Sequence, residues 1–275
     1  LPRLTLSSVM EILLYILAGA GVGFAIGLTG VGGGSLMTPL LLLFGYSAPV
    51  AIGTDLLYAA ITKAGGAFSH HRNNNVDWRI VRWLALGSLP TAVLVHIALS
   101  RSSFQQSEGF EQLLTTSLGI MLIITSIILI YRNILRKKAI KDEPKKVMEL
   151  LHRNRKKTTI VMGVVLGICV TLSSVGAGAF AAAILLTIFS QTTAVRIIGS
   201  DIAHAVPLTF IAGIGYLLGG FVDFMLLLSL LLGSLPAINL GSKLSNRVPE
   251  KILQRLLISI LLCLGGYYAI FNNIH

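Results

Sequence analysis

Two short runs place a carboxylate inside apolar sequence. Ile52-Gly53-Thr54-Asp55 returns, 146 residues later, as Ile198-Gly199-Ser200-Asp201. An ionisable group at the middle of a bilayer costs about 2.5–3.5 kcal/mol even on a lenient scale, so such groups face protein or water and mark function by default. Asp201 and His204 are three residues apart and share a helical face. A carboxyl beside an imidazole is a proton relay, because histidine titrates near neutral pH. A second reading stays open: Thr54-Asp55 and Ser200-Asp201 are also residues that cap the helix after them. Lys63, eight residues past Asp55, is either a counter-charge for an anion or a side chain snorkelling to the cytoplasmic end of its helix. Ser200, Asp201 and His204 lie too close in sequence for a nucleophile–base–acid relay. No enzyme is therefore expected, and an intramembrane hydrolase is the weaker alternative. His96 reads as interfacial, and His70 and His71 as solvated. Cys169 and Cys263 have no ligand-like neighbours, so neither a metal nor a cofactor is expected.

These groups need something to hold them, and a glycine run is the clearest signal. In "GLTGVGGGSLMTP" at 27–39, four of the five residues 30–34 are glycine. Each costs a helix interior about 1 kcal/mol relative to alanine. The chain is expected to bend here and restart as a helix. The N–H groups of Gly32, Gly33, Gly34 and Ser35 then face an anion, with Lys63 nearby. Gly176, Ala177 and Gly178 repeat the device in weaker form. The competing reading is close helix packing through small residues. A phosphate loop is excluded, since no Gly-Lys-Ser/Thr follows.

Composition sets the surroundings. Of 275 residues, 54% are hydrophobic and 12% charged, about half the charged share of a soluble domain. Stretches at 10–29, 50–69, 83–100, 112–131, 159–175, 202–222, 224–242 and 256–271 are long enough to cross a bilayer as helices. An all-α polytopic membrane protein follows. The net charge is +11, but 132–158 alone holds eleven Lys or Arg against three acids. A basic loop between spans is a cytoplasmic anchor, suited to anionic headgroups rather than to nucleic acid. No charged region precedes a cleavage site at the start of the sequence, so no signal peptide is expected.

The motifs repeat in order. "VDW" at 76–78 matches "VDF" at 222–224, "LGSLP" at 86–90 recurs at 232–236, and "LTGVGGGS" at 28–35 matches "LSSVGAGA" at 172–179. The expected domains are a first repeat at 1–131, a basic cytoplasmic linker at 132–158 and a second repeat at 159–275. Loops 70–82 and 243–255 carry excess Arg and Lys and fall inside with the linker, which puts 101–111 and 219–223 outside. The halves then have inverted topology, with about five helical segments each. That parity requires each half to begin with a Gly-broken, re-entrant helical hairpin whose second arm is about ten residues, half a membrane.

The chain "GLTGVGGGSL", "AIGTD", "VDW" and "LGSLP", all duplicated, resembles the TauE/SafE family of sulfite exporters, also called the four-toluene sulfonate uptake permease family. The resemblance spans about 10–271. It places the family's glycine motif on Gly30, Gly32, Gly33 and Gly34, with a second copy on Gly176 and Gly178. It implies transport of small sulfur-containing anions such as sulfite, sulfoacetate or other organosulfonates, from a bacterial inner membrane. Coupling is expected to protons, with Thr54, Asp55, Ser200, Asp201 and His204 as coupling or gating residues. A passive anion channel is the alternative. Tyr58 stands where the second half has His204, so the two halves are not chemically alike.

Overall fold

The computed structural model describes residues 6–29, 36–141, 153–176, 178–189, 191–244 and 250–270. The glycine run at 30–35, Ala177 and the linker residues 142–152 lie outside the described residues. Among the described residues eleven helices follow in order: α1 (Leu6–Thr29), α2 (Met37–Leu43), α3 (Ala48–Arg72), α4 (Trp78–Leu99), α5 (Ser102–Gln105), α6 (Glu108–Lys141), α7 (Arg155–Ser173), α8 (Ala179–Ile188), α9 (Ala194–Leu218), α10 (Phe224–Leu244) and α11 (Glu250–Ile270). No strand occurs among the described residues. Helices are the expected solution, because lipid offers no partner to an exposed peptide group.

Among the described residues six helices are long and apolar enough to cross a membrane: Val9–Leu28, Trp78–Leu99, Glu108–Tyr131, Arg155–Ser173, Ala194–Leu218 and Phe224–Leu244. The 25-residue α3 is as long as any of these except α6, but it is less apolar. Its polar residues Thr54, Asp55 and Lys63 are buried inside the bundle. Leucines such as Leu94, Leu218 and Leu232 point outward instead, as lipid-facing side chains do.

Besides the four-residue α5, two helices are short. At 7 and 10 residues, α2 and α8 are about 10 and 15 Å long. Before α8 the backbone turns sharply. Ser174 has φ 58°, Gly176 φ 125° and Gly178 φ 143°, left-handed values that interrupt the helix between α7 and α8.

The helices pair across the two halves of the chain. A Cβ added to Gly19 would lie 2.8 Å from Leu230 Cα, and one on Gly23 would lie 2.6 Å from Ser234 Cα. Gly27 meets Ile238 and Gly241 in the same way. The positions advance together, so α1 runs parallel to α10. The same registry joins α7 to α4, where Gly163 faces Leu84 and Gly167 faces Ser88. Between α3 and α9 the order reverses: Gly53 meets Tyr216, Leu57 meets Gly213, Gly66 meets Ile202 and His70 meets Gly199. These two helices are antiparallel and form the centre of the bundle.

Candidate functional site

The central pair α3 and α9 carries both acids, and neither acid caps a helix. Helix α3 starts seven residues before Asp55. Its N-cap is Ser47, Pro49 lies in its first turn, and the Ala48 N–H donates to Glu111 Oε1 at 3.2 Å. Helix α9 starts after Thr193, seven residues before Asp201. The capping reading is thereby corrected: a Ser/Thr-Asp pair near an apolar run looks like a cap, but the helix had already begun.

The hydroxyls of these motifs serve the loops instead. Ser200 Oγ accepts from the Asp77 N–H at 2.7 Å and donates to Arg196 O at 2.7 Å. Thr54 Oγ1 accepts from the Asp223 N–H at 3.3 Å. Each "VD" loop is thus tied to the helix of the opposite half. Asp77 and Asp223 then cap α4 and α10, accepting from Arg79 and Leu226 N–H groups at 3.0 Å each. Replacing Ser200 with Ala leaves a loop N–H without its acceptor. The expected loss is about 1 kcal/mol of stability, and Ser200→Thr should restore it in thermal melting of the purified protein.

Asp55 is fully buried. Its Oδ2 accepts from Thr38 Oγ1 at 2.5 Å and from Ser174 Oγ at 3.0 Å. Thr38 lies in the first turn of α2, and Ser174 is the residue at which α7 stops. One carboxylate therefore joins the start of one short arm to the break before the other. Asp55 Oδ1 has no hydrogen-bond partner among the described residues.

Asp201 is equally buried but is served differently. At the spacing that relates the two glycine motifs, Ala182 stands in place of Thr38 and Gly30 in place of Ser174. What Asp201 has is Lys63, whose charge acts on Asp201 first and on Asp55 second. Lys63 is 8% exposed, so it points inward and does not snorkel. His204 lies one turn beyond Asp201, fully buried, with Nε2 and Ser88 Oγ hydrogen-bonded at 2.7 Å. His204 Nδ1 has no partner among the described residues. In the first half, Tyr58 and Ser234 occupy the matching places and face one another without closing a hydrogen bond.

His204 thus bonds Ser88 and not Ser200. The hydroxyl of Ser200 is engaged by the Asp77 loop, so the contact a hydrolytic relay needs is not made. His96 is drawn inward too. Its Nε2 bonds Ala212 O at 2.7 Å and its ring lies edge-on to Tyr216, so it ties α4 to α9. His71 stacks edge-on against Trp78 at the loop end.

Sequence reasoning found Asp55, Asp201, His204 and Lys63, and the structure brings all four to the α3–α9 core. Gly176 and Gly178 form the second bend, beside Ser174. Gly32, Gly33, Gly34, Ser35 and Ala177 lie outside the described residues. Thr38, Ser88 and Ser174 were missed. Ser88 carried a signal, since it sits in the repeated "LGSLP". The others lie inside the quoted glycine motifs but have no matching hydroxyl in the other half, since Thr38 aligns with Ala182 and Ser174 with Gly30.

Two hollows, of about 530 Å³ between α1, α2 and α11 and about 400 Å³ between α6, α7 and α8, have apolar linings. They suit acyl chains better than an anion.

Residues 15–268 match the family described as "Sulfite exporter TauE/SafE". The chain is 40% identical over 251 residues to "Probable membrane transporter protein YjnA" of Bacillus subtilis (strain 168), covering 91% of this chain and 96% of that protein. It is 28% identical over 243 residues to "Probable membrane transporter protein YdhB" of the same organism, covering 88% and 94%. No solved structure matches it. With a buried, charged core inside six apolar helices and this match over nearly its whole length, the chain is an integral, multi-pass membrane protein that belongs to the TauE/SafE sulfite exporter family of membrane transporters.

Proposed function

We propose that this protein is a secondary transporter of small sulfur-containing anions, such as sulfite, sulfoacetate or other organosulfonates, driven by protons. The observation that carries the reading is the meeting of the two interrupted segments on Asp55. Backbone can leave a helix at membrane depth only where protein or a watery cavity satisfies it. The start of α2 and the left-handed turn before α8 meet on Asp55, and the N-terminal end of α8 gives an anion free N–H groups and a favourable dipole. The substrate-binding residues are Gly32, Gly33, Gly34 and Ser35 from the first break and Gly176, Ala177 and Gly178 from the second, with Lys63 as the interior cation.

The halves are read as inverted repeats, 1–131 and 159–275, joined by the cytoplasmic linker 132–158 on anionic headgroups of a bacterial inner membrane. Support comes from α3 and α9. They are the same segment of each half, and they run antiparallel through matching contacts. Each short arm then completes a re-entrant hairpin. Asp55 holds the two bends in register, with Thr54 and Ser200 fixing the loops that frame it. Asp201 and His204 carry the proton. Rocking one half against the other alternates access.

The test is flux of labelled sulfite and several sulfonates in proteoliposomes, with and without a pH gradient. Gradient-driven accumulation is expected. Asp201→Asn and His204→Gln should retain exchange and lose accumulation, and Lys63→Gln should raise the apparent KM by about tenfold or more. No flux of any of these anions overturns the reading. An ohmic current indifferent to the gradient would instead assign a passive channel.

A further inference from the structure

The two acids differ in what the fold provides for them, and the difference has a chemical meaning. Asp201 is given a built-in cation, Lys63. Asp55 is given oxygen: the Thr38 and Ser174 hydroxyls, from two other elements, both on Oδ2. All three residues are buried, at 0%, 0% and 3% exposure. Asp55 Oδ1 has no partner among the described residues. Lys63 lies eight residues along α3, about 12 Å of axial rise, and acts first on Asp201.

The break in α7 adds to this. Ser174 is the C-cap of α7 and its hydroxyl bonds Asp55, so the negative end of that helix dipole lies beside Asp55. A carboxylate, two hydroxyls with free lone pairs and a helix C-terminus form an all-oxygen, net negative environment. Hard cations take such ligands, and unwound helix ends supply them inside membranes. We infer that Asp55, Thr38 and Ser174 form the core of a sodium site between the two breaks. The ion adds positive charge directly at Asp55, where Lys63 acts less than it does on Asp201. It also locks the breaks together, so its occupancy sets whether the anion cradle is assembled. This role rests on the transport reading; the binding itself does not.

The experiment is thermal melting of the purified full chain in detergent, with sodium chloride titrated against potassium chloride or choline chloride at constant ionic strength. A saturable rise in Tm specific to sodium is expected, because a ligand of the folded state stabilises it by mass action. Asp55→Asn should abolish the rise. Thr38→Val and Ser174→Ala should each weaken the apparent sodium affinity by about tenfold. Asp201→Asn should keep the response. Equal shifts in all three salts, no shift, or a full response in Asp55→Asn would overturn the site. If Asp55→Asn does not fold, the two hydroxyl variants decide, and unchanged affinity in both overturns it. Melting reads binding without flux. A protein that binds sodium but moves no sulfur anion sinks the transport reading alone, and one that moves the anion with no sodium response sinks only this site.

Discussion

Replacing Asp55 with Ala is expected to abolish transport and to cost several kcal/mol of stability, on the order of two charged hydrogen bonds. The reason is the number of elements one carboxylate joins. Thr38 belongs to α2, Asp55 to α3 and Ser174 to the end of α7. Hydrogen bonds to a charged group contribute about 1.5–3 kcal/mol each, so losing both removes on the order of 3–6 kcal/mol. Two buried hydroxyls would also lose the acceptor they share. The breaks would lose their common anchor, and a displacement of about 1 Å at a binding constellation costs roughly 100-fold in rate. Flux in proteoliposomes and thermal melting in detergent would measure the two effects separately. Wild-type flux in a correctly reconstituted Asp55→Ala protein would remove Asp55 from the machinery. Asp55→Asn is the milder test, since its amide oxygen still accepts one hydroxyl.

The second large effect belongs to a glycine at the contact of α1 with α10. Gly23 is buried against α10, where an added Cβ would come within 2.6 Å of Ser234 Cα and 2.7 Å of Ser234 Cβ. Backbone cannot yield as a side chain can, so α1 and α10 must separate. Overpacking of this kind costs about 1–3 kcal/mol for one methyl, and more for a larger group. Gly23→Ala should lower the melting temperature, and Gly23→Leu should prevent recovery of folded protein. Gly167→Ala should behave alike, because it meets Ser88 across α7 and α4 in the same registry. The contrast is Gly21, two residues away. It is exposed, with open space around it, so Gly21→Ala gains about 1 kcal/mol of helix propensity with nothing to obstruct it. Equal melting temperatures for the alanine variants at 21 and 23 would mean that α1 does not pack on α10 as described.

That glycine stripe is also a lesson in reading. Gly19, Gly23 and Gly27 recur at intervals of four, as close-packed helix faces require, yet the glycine run at 30–34 drew the attention first. Spacing identifies a packed face but does not say which helix covers it. The capping reading of Thr54-Asp55 and Ser200-Asp201 went wrong for a related reason. Residue types that cap helices also bind loops and ligands, and only the backbone shows where a helix begins. Pro49, in the first turn of α3, was the sequence signal that outranked them.

Much about this protein was decided by local chemistry that a linear chain displays. Apolar stretches of membrane length require helices, because lipid leaves peptide groups no other partner. Repeated motifs, interrupting glycines and acids inside apolar runs mark the elements and the residues that matter, since each breaks a rule that lipid enforces. Tertiary structure alone decided the partners. That α1 lies on α10 and α7 on α4, and that Thr38 and Ser174 converge on Asp55, are contacts between residues up to about 214 positions apart. A hydroxyl or a glycine has the same appearance in sequence whatever stands across from it. Its role is set by the geometry of close approach, which exists only once the helices have packed.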